Sequence, residues 1–322
     1  MTARIGIRCD AGPAIGVGHL VRCVALAEEL SERGAQVAFL GEVSGSVWAT
    51  GQLRGRGLRL LPAPHEPPCL AALVADLGLD AVVLDSYTLA PGTGAALRAE
   101  GAVVLAIVDG DPLGQAADLY LDQNLGAESR PFPGGERLAG ARYALLRDCV
   151  RRCRRSPRAG QVPRVPRVLC FFGGTDSAGV APAWAGALRA TGLPFAATVI
   201  SPVPFAADGP VRVLPPTDRL PELMAGADLA VTAAGSASWE LLHLGVPTAL
   251  TWVAGNQLIG YEALVGGGLA AGLGPAPGPA AVDTLARLLT APELREEYAA
   301  RGRGLVDGRG RERVAAALLT CL

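Results

Sequence analysis

Short apolar runs alternate with longer amphipathic stretches along the whole chain, and this alternation predicts strands separated by helices. RIGIRC (4–9) predicts the first strand, and LVRCVALAEELSERG (20–34) predicts an amphipathic helix that ends at Gly34. Because nearly every position of the runs is apolar, we expect parallel sheets covered by helices on both faces. The further runs are AQVAFL, DAVVLD, AVVLAIVD, DLYLDQ and RYALL in the first half, and RVLCFF, FAATVI, PVRVL, DLAVTA and PTALTW in the second.

An arginine- and proline-rich segment separates the two series of strands. Its sequence, RDCVRRCRRSPRAGQVPRVPR (147–167), is more typical of a solvated connector than of a binding patch for polyanions. The last residues, GRERVAAALLTCL, predict a helix. We therefore predict an α/β protein with two Rossmann-like domains that face each other across a cleft. The predicted boundaries are 1–150 for an amino-terminal acceptor and catalytic-base domain, 151–166 for a linker, 167–305 for a nucleotide-sugar-binding domain, and 306–322 for a carboxyl-terminal helix.

Composition excludes several classes of protein. The 322 residues carry a formal net charge of −1, which gives no basic field for nucleic acid or an anionic membrane. Residues 263–282 carry no charge, but their glycines and prolines argue against a membrane span. The chain begins without a signal-peptide pattern, and its seven cysteines form no CxxC pair. We expect a reduced cytoplasmic protein that has no structural zinc.

Arginine accounts for all 29 positively charged residues, and lysine is absent. Together with the abundance of alanine, glycine and proline, this bias matches a GC-rich genome. Its chemical consequence is that a phosphate must be held by backbone N–H groups, hydroxyls, histidine or arginine. A Walker lysine and a Schiff-base lysine are both excluded.

Ligands of open α/β sheets bind beyond the carboxyl ends of the strands, so the residues that follow each strand are the candidate site residues. After the first strand comes GPAIGVGHLVR (12–22), where Gly16 and Gly18 allow a tight turn and close approach of a ligand. His19 is predicted at the start of a helix, whose dipole favours the neutral imidazole and whose free N–H groups could receive an anion. A dinucleotide site is disfavoured because Val21 stands where the third glycine of GxGxxG belongs. Packing or capping at the helix start is the alternative role for His19.

Two further strand ends in the first half carry polar side chains. Tyr87 follows DAVVLD and could place its hydroxyl in the cleft or simply pack in the core. Asp109 and Asp111 form a DxD sequence, which resembles the metal-binding motif of the other glycosyltransferase architecture but also occurs where an acid caps a turn. We predict no metal and no other cofactor.

In the second half, FFGGTDSAG (171–179) predicts a backbone nest for a diphosphate, although many α/β folds use such a turn only to change direction. Gly235 and Ser236 follow another strand at the start of a helix, which predicts a second anion site. Glu240 lies one helical turn after Ser236 on the same face, where it could accept hydrogen bonds from ribose hydroxyls. Asn256 follows the next strand.

This ordered set of motifs resembles the GT-B superfamily of nucleotide-sugar enzymes over nearly the whole chain. Within it, the sequence is most similar to the UDP-sugar hydrolase of pseudaminic acid biosynthesis and its spore-coat-polysaccharide relatives. One departure is Asp109-Gly110, which stands where those hydrolases have an acidic pair. The matching motifs are GxGHxxR (16–22), the tyrosine at 87, DLYLDQN, GARYALLR, FFGGTD, AAGSASWE and GNQ (255–257).

The resemblance implies a UDP-sugar donor and assigns roles to the matching residues. His19 would be the base that deprotonates the attacking group or a donor that steadies developing charge, while Tyr87 and Asn256 would position water, acceptor or sugar. Ser236 would hold the diphosphate and Glu240 the ribose. The predicted substrate-binding residues are Gly16, Gly18, Arg22, Gly173, Gly174, Thr175, Gly235, Ser236, Glu240 and Gln257.

Hydrolysis and glycosyl transfer differ only in whether water or an acceptor attacks. Relatives in GC-rich bacteria include glycosyltransferases of nucleoside-antibiotic pathways, for example enzymes that join UDP-glucuronate to cytosine. The resemblance therefore favours a glycosyltransferase with a small acceptor, for example a nucleobase such as cytosine, over a UDP-sugar hydrolase. A non-catalytic nucleotide-sugar-binding module and a nicotinamide oxidoreductase are further alternatives, and the oligomeric state is left open.

Overall fold

A computed structural model describes residues 2–13, 15–132, 135–153 and 165–322. The chain forms two compact units. Unit 1 comprises Met1–Asp148 together with Gly308–Leu322, and unit 2 comprises Cys149–Asp307. None of the described helices has the length and apolar content needed to cross a membrane.

Unit 1 is built on a seven-stranded parallel sheet in the order β3-β2-β1-β4-β5-β6-β7. Its inner strands are buried on both faces, as their apolar runs predict; every residue of β4 and of β6 is buried. The strands are β1 Arg4–Cys9, β2 Gln36–Leu40, β3 Arg59–Leu61, β4 Ala81–Asp85, β5 Val103–Ile107, β6 Leu119–Asp122 and β7 Glu136–Ala139.

Helices cover both faces of this sheet. The connecting helices are α1 Gly18–Glu32, α2 Val47–Arg54, α3 Pro67–Asp76 and α4 Thr93–Ala99. The core on one face packs α1 against the strands through residues such as Leu20, Val24 and Leu30, all fully buried. The order β3-β2-β1-β4-β5 places the carboxyl ends of β1 and β4 side by side, with Cys9 paired to Asp85.

Unit 2 repeats the arrangement with a six-stranded parallel sheet in the order β10-β9-β8-β11-β12-β13. Its strands are β8 Arg167–Phe171, β9 Ala196–Ile200, β10 Val211–Leu214, β11 Leu229–Ala233, β12 Thr248–Thr251 and β13 Ala271–Gly272. Its helices are α5 Asp148–Arg152, which begins at the last residue of unit 1, α6 Ala181–Ala190, α7 Leu220–Gly226, α8 Ala237–Leu244, α9 Leu258–Gly266, α10 Pro279–Thr290 and α11 Pro292–Gly302.

The last helix, α12 Gly310–Thr320, belongs to unit 1 and packs on α1. Arg311 is 1 % exposed and forms ion pairs with four carboxylates. Three of them come from α1, Glu28 at 3.0 Å, Glu29 at 3.1 Å and Glu32 at 3.3 Å, and the fourth is Asp148 at 2.6 Å. Gly310 packs against the segment that follows β7, where a Cβ would lie 2.2 Å from the Ala144 carbonyl oxygen.

Two local predictions differ from the structure. The strand predicted at RYALL is wrong: residues 141–143 form a 3₁₀ turn, and the strand lies earlier, at Glu136–Ala139. Residues 154–164 of the predicted connector lie outside the described residues. The part before them is not solvated throughout, since Arg147 is 4 % exposed and Val150 is fully buried.

Candidate active site

Four adjacent strands of unit 1 bring polar side chains to one edge of the sheet. Asp85 is the last residue of β4, and Asp109 and Asn124 each follow the end of β5 or β6 by two residues. The loop after β1 leads into α1, which contributes His19 and Arg22. Since β1, β4, β5 and β6 are neighbours in the sheet, these five residues converge at its carboxyl edge.

His19 is the second residue of α1, and its side chain is 11 % exposed. Its Nδ1 lies 3.7 Å from Oδ1 of Asp85, and its ring meets the edge of Tyr87 with 4.6 Å between ring centroids. Burial is the main cause that lowers the pKa of His19 below the ordinary value of 6.5, and Arg22 contributes, while Asp85 and Asp109 oppose the shift. The imidazole is therefore neutral at pH 7, as predicted, although burial rather than the helix dipole is the main cause.

Arg22 follows His19 by three residues and is 4 % exposed. Its guanidinium forms a bidentate pair with Asp85, with Nε 2.7 Å from Oδ2 and Nη2 2.6 Å from Oδ1. A second, longer contact joins Nη1 to the Asp109 carboxylate at 3.4 Å. The residue predicted to bind substrate thus has its donors directed at two carboxylates of its own unit, which fixes the position of both.

Asp109 links Tyr87 to the rest of the site. Its Oδ2 accepts a hydrogen bond from the Tyr87 hydroxyl, and its Oδ1 accepts one from Nδ2 of Asn124 at 2.8 Å. Burial by itself would raise the pKa of Asp109, but Arg22 and these hydrogen bonds outweigh it and the pKa is lowered. Burial likewise tends to raise the pKa of Asp85, but Arg22 and His19 outweigh it and this pKa is also lowered. Both carboxylates are therefore ionised at neutral pH.

The charges of this cluster do not cancel. Asp85 and Asp109 carry two negative charges, whereas Arg22 supplies one positive charge and His19 is neutral. Burial raises the pKa of Asp122, whose Oδ1 accepts hydrogen bonds from Asn124. The cluster therefore has an excess of negative charge around His19, which would stabilise the imidazolium formed when His19 takes a proton from a nucleophile.

The glycine-rich loop closes on itself before α1 begins. Gly12 and Gly16 exchange backbone hydrogen bonds of 3.2 and 2.7 Å, and Gly16 has φ 82°, a left-handed conformation that favours glycine. Gly18 is the exposed first residue of α1. This turn directs the start of α1, and with it His19, toward the carboxyl edge of the sheet.

The DxD sequence does not form a metal site in the described part of the chain. Asp109 is engaged as above, and Oδ1 of Asp111 accepts a hydrogen bond from the Leu113 N–H at 2.8 Å, which is a turn-capping contact. Among the described residues there is no group of three or more histidine, cysteine, aspartate or glutamate side chains that could hold a metal ion.

In unit 2, Gly235 and Ser236 lie at the turn from β11 into α8, where no atom comes within 4 Å of a Cβ built on Gly235. Glu240 lies in the first turn of α8 and is 3 % exposed. Two buried hydroxyls near this turn, Thr232 Oγ1 and Ser238 Oγ, have no hydrogen-bond partner among the residues that the structure describes. The turn thus combines open space at the start of an eight-residue helix with unsatisfied hydroxyls.

The other predicted diphosphate contact has a different local structure. Gly173 has φ 76°, and Gly174 and Thr175 are partly exposed in the turn after β8. Asp176, at φ 40°, accepts hydrogen bonds from the N–H groups of Val180 at 3.0 Å and Ala181 at 3.1 Å. Its carboxylate therefore caps α6, and two N–H groups at that helix start are already occupied.

The turn after β12 contains the last two predicted residues. Asn256 is exposed on a 3₁₀ turn, Gly255–Gln257. Oε1 of Gln257 accepts a hydrogen bond from the Val253 N–H at 2.9 Å, so this side chain shapes its own loop. The structure brings His19, Arg22 and Tyr87 together in unit 1, and places the predicted residues from Gly173 onward in unit 2.

Asp85 and Asn124 were not among the predicted site residues, and Asp109 was noted only as part of a possible metal motif. A signal existed for two of them. Asp85 ends an otherwise apolar strand, and Asn124 is one of only two asparagines in the chain. Only the sheet order, which sets β1, β4, β5 and β6 side by side, shows that these residues meet.

Comparison with known proteins gives a structural but no sequence-level match. Neither a protein-family model nor a curated protein matches the sequence. Among solved structures, MurG from Acinetobacter baumannii is similar over 99 % of both chains, with a TM-score of 0.73 and 17 % identity. The spinosyn rhamnosyltransferase SpnG, solved with thymidine diphosphate, matches over 99 % of this chain and 100 % of its own, with a TM-score of 0.66 and 14 % identity. SnogD from Streptomyces nogalater matches over 98 % and 100 %, with a TM-score of 0.62 and 15 % identity.

These similar structures are GT-B glycosyltransferases. The identities are low, so the likeness concerns the fold. It agrees with the two parallel sheets and their flanking helices described above. The chain therefore has the α/β GT-B fold predicted from its sequence.

Proposed function

We propose that this protein is a glycosyltransferase that uses a UDP-sugar donor and transfers the sugar to a small acceptor, with His19 as the catalytic base. The observation that carries the proposal is the state of His19: a neutral imidazole that is held against Tyr87 and next to two ionised carboxylates. Burial keeps this base neutral at pH 7, and the two carboxylates favour the protonated form that the proton transfer produces. The GT-B fold, shared with glycosyltransferases, supports the same function.

The reaction needs one proton transfer and one displacement. A ring nitrogen of His19 takes the proton of the acceptor hydroxyl or N–H, and the acceptor's electron pair attacks the anomeric carbon. The bond between that carbon and the diphosphate oxygen breaks, and UDP leaves with the electron pair. Because Nδ1 faces Asp85, we assign the proton transfer to Nε2. Base catalysis of this kind contributes about 10²–10⁴ to the rate.

We assign Arg22, Asp85 and Asp109 as positioning residues. The bidentate pair of Arg22 with Asp85 fixes the carboxylate that faces His19, and Asp109 holds the Tyr87 hydroxyl. Tyr87 is 40 % exposed and would contact the acceptor.

Unit 2 is proposed to bind the donor. The turn at Gly235 and Ser236 offers backbone N–H groups and a hydroxyl to the diphosphate at the start of α8, and Glu240 would accept from the ribose hydroxyls. Gly173, Gly174 and Thr175 would add a second diphosphate contact, and Asn256, exposed on its turn, would contact the sugar.

The test is turnover of a panel of UDP- and TDP-sugars with and without added acceptors, cytosine among them, followed by His19→Gln. The variant should lower kcat by about 10²–10⁴ and leave the Kd for UDP, measured by calorimetry, unchanged. His243→Gln is the matched control, because His243 lies in unit 2 with its Nδ1 3.0 Å from the Val306 carbonyl oxygen. Unaltered turnover by His19→Gln would remove the catalytic assignment. Free sugar formed at the same rate without any acceptor would instead identify a UDP-sugar hydrolase.

A further inference from the structure

Large apolar side chains are exposed at seven positions of the described chain, and four of these belong to one edge of unit 1. The four are Ile15, 50 % exposed, Val47, 92 %, Tyr87, 40 %, and Leu113, 42 %; we call them the apolar rim. The other three are Val165, Val203 and Leu322. A group of exposed apolar side chains surrounded by polar residues marks a binding surface more often than isolated exposed side chains do.

The members of the apolar rim follow four consecutive strands in the sheet. In the spatial order β2-β1-β4-β5, each strand is followed by one of them, Val47, Ile15, Tyr87 and Leu113. Adjacent strands lie about 4.8 Å apart, so four strand ends span about 15 Å. That length matches a molecule of two or three fused or linked rings.

The loops that carry the apolar rim are packed against one another in pairs. The Ser44 N–H donates to the Ala11 carbonyl at 3.0 Å, which joins the loops after β2 and β1. The Gly92 N–H donates to the Gly114 carbonyl at 3.2 Å, which joins the loops after β4 and β5. The edge-on contact of His19 with Tyr87 connects the two pairs, because His19 follows the β1 loop. Through Tyr87, the apolar rim therefore reaches the proposed catalytic base.

Leu113 is held in an unfavourable conformation. Its φ of 52° is uncommon for a non-glycine residue and costs on the order of 1 kcal/mol. The hydrogen bond from its N–H to Asp111 fixes this turn, and the leucine side chain is nevertheless exposed. A large apolar side chain is therefore exposed on a turn whose backbone conformation favours glycine or asparagine.

The charges along this edge are all negative. Residues 10–17, 41–46, 86–92 and 108–114, which follow the four strands, contain Asp10, Glu42, Asp109 and Asp111 and no arginine. The guanidinium groups of Arg8 in β1 and Arg22 in α1 are buried and paired with Asp10 and Asp85. An anion placed here would meet carboxylates and find no free cation, whereas a neutral or cationic molecule would not be repelled.

We propose that the apolar rim binds the acceptor, and that this acceptor is a largely apolar small molecule, neutral or cationic, that presents a hydroxyl or N–H to His19. Phosphorylated, carboxylated and nucleotide acceptors are disfavoured by charge, and cytosine leaves most of the apolar rim unfilled. This inference rests on the proposed function for the role of His19, but the surface and its sign of charge stand on the structure of unit 1 alone.

The test uses two fluorescent probes that differ by one charged group, the neutral N-phenyl-1-naphthylamine and its 8-sulfonate, titrated into the full chain. The neutral probe should bind about tenfold more tightly than the sulfonate. Val47→Ser and Ile15→Ser should each weaken the neutral probe about fivefold. Val203→Ser, at a 68 % exposed valine of unit 2, is the matched control and should have no effect.

Several results would overturn the inference. Equal or tighter binding of the sulfonate refutes the charge argument, and probe affinity that is insensitive to Val47→Ser and Ile15→Ser refutes the location. A dimer in gel filtration that dissociates on Val47→Ser, or binding to phosphatidylcholine vesicles lost in the same variant, shows that a second copy or a membrane covers the apolar rim instead. Because the probes require no turnover, probe binding without turnover of any UDP-sugar overturns the proposed function and not the surface. Cytosine turnover that is unchanged in Val47→Ser and Ile15→Ser overturns the acceptor surface and leaves the proposed function standing.

Discussion

Removal of the Asp85 carboxylate should destabilise unit 1 far more than removal of a carboxylate from an exposed ion pair would. In Asp85→Asn, the single amide oxygen can keep one of the two short contacts with Arg22, at 2.6 and 2.7 Å, while the amide NH2 group faces the other guanidinium donor and repels it. Arg22 is 4 % exposed, so water cannot replace the lost acceptor. Removal of one partner of a buried ion pair lowers the free energy of unfolding by about 3–5 kcal/mol. Because Arg22 keeps its contact with Asp109, we expect a loss of about 3 kcal/mol for this variant.

Arg22→Met should be comparably harmful, because it leaves two buried carboxylates without their guanidinium. The double variant Arg22→Met/Asp85→Asn should cost less than the sum of the singles by about 2–3 kcal/mol, since it leaves a single buried carboxylate, that of Asp109. Folding lowers the pKa of Asp85, so its contribution is present above the ordinary value of 3.8 and is lost as the pH falls below it.

The measurement is amide hydrogen exchange of β1 and β4 followed by mass spectrometry, because it reports the free energy of opening of unit 1 separately from unit 2. Arg98→Gln is the control: the pair of Arg98 with Asp118 is 46 % and 29 % exposed, and its loss should cost about 0–1 kcal/mol. If the double variant is as unstable as the sum of the singles, or if Asp85→Asn behaves like Arg98→Gln, the buried pair does not hold the site together and the reasoning fails.

Three further changes test other parts of the structure. Asp109→Asn removes a charge that raises the pKa of His19, so the acid limb of kcat/KM, already expected below pH 6.5, should move to lower pH; a move to higher pH would contradict the assignment of His19. Asp176→Ala removes the carboxylate that caps α6 and should lower the stability of unit 2 by about 1 kcal/mol in urea titrations followed by exchange of β8. Gly310→Ala places a Cβ 2.2 Å from a carbonyl oxygen and should lower the stability of unit 1 by about 1–3 kcal/mol. Gly51→Ala, in α2 with open space around it, is the control and should stabilise unit 1 by about 0.5–1 kcal/mol. Equal effects of the two substitutions would refute the packing described for α12.

The alternation of apolar runs and amphipathic stretches was enough to predict most strands and the fold class, because parallel strands buried on both faces leave a near-continuous apolar signal. It failed at β7, where ERLA is short and half polar and the neighbouring RYALL is apolar without forming a strand. Burial of RYALL residues in a turn gives the same local pattern as a strand, so the sequence alone does not distinguish them.

The sequence predicts the residues of the candidate site only in part. His19, Arg22 and Tyr87 stand in one motif or directly after a strand, and local reasoning finds them. The role of Arg22 was not accessible in the same way, because the two carboxylates that pair with it come from positions 63 and 87 residues later in the chain. Such pairs depend on strand order, which periodicity does not encode.

Because α12 returns to unit 1, no single cleavage of the chain separates the two units into complete halves. A fragment that stops at residue 148 lacks the arginine that gathers the acidic residues of α1, and those like charges would then repel one another next to an uncovered apolar face. Residues 149–307, which form unit 2, must be synthesised before α12 can pack on unit 1. Completion of unit 1 therefore waits for synthesis of unit 2, although the strands of unit 1 come earlier in the chain.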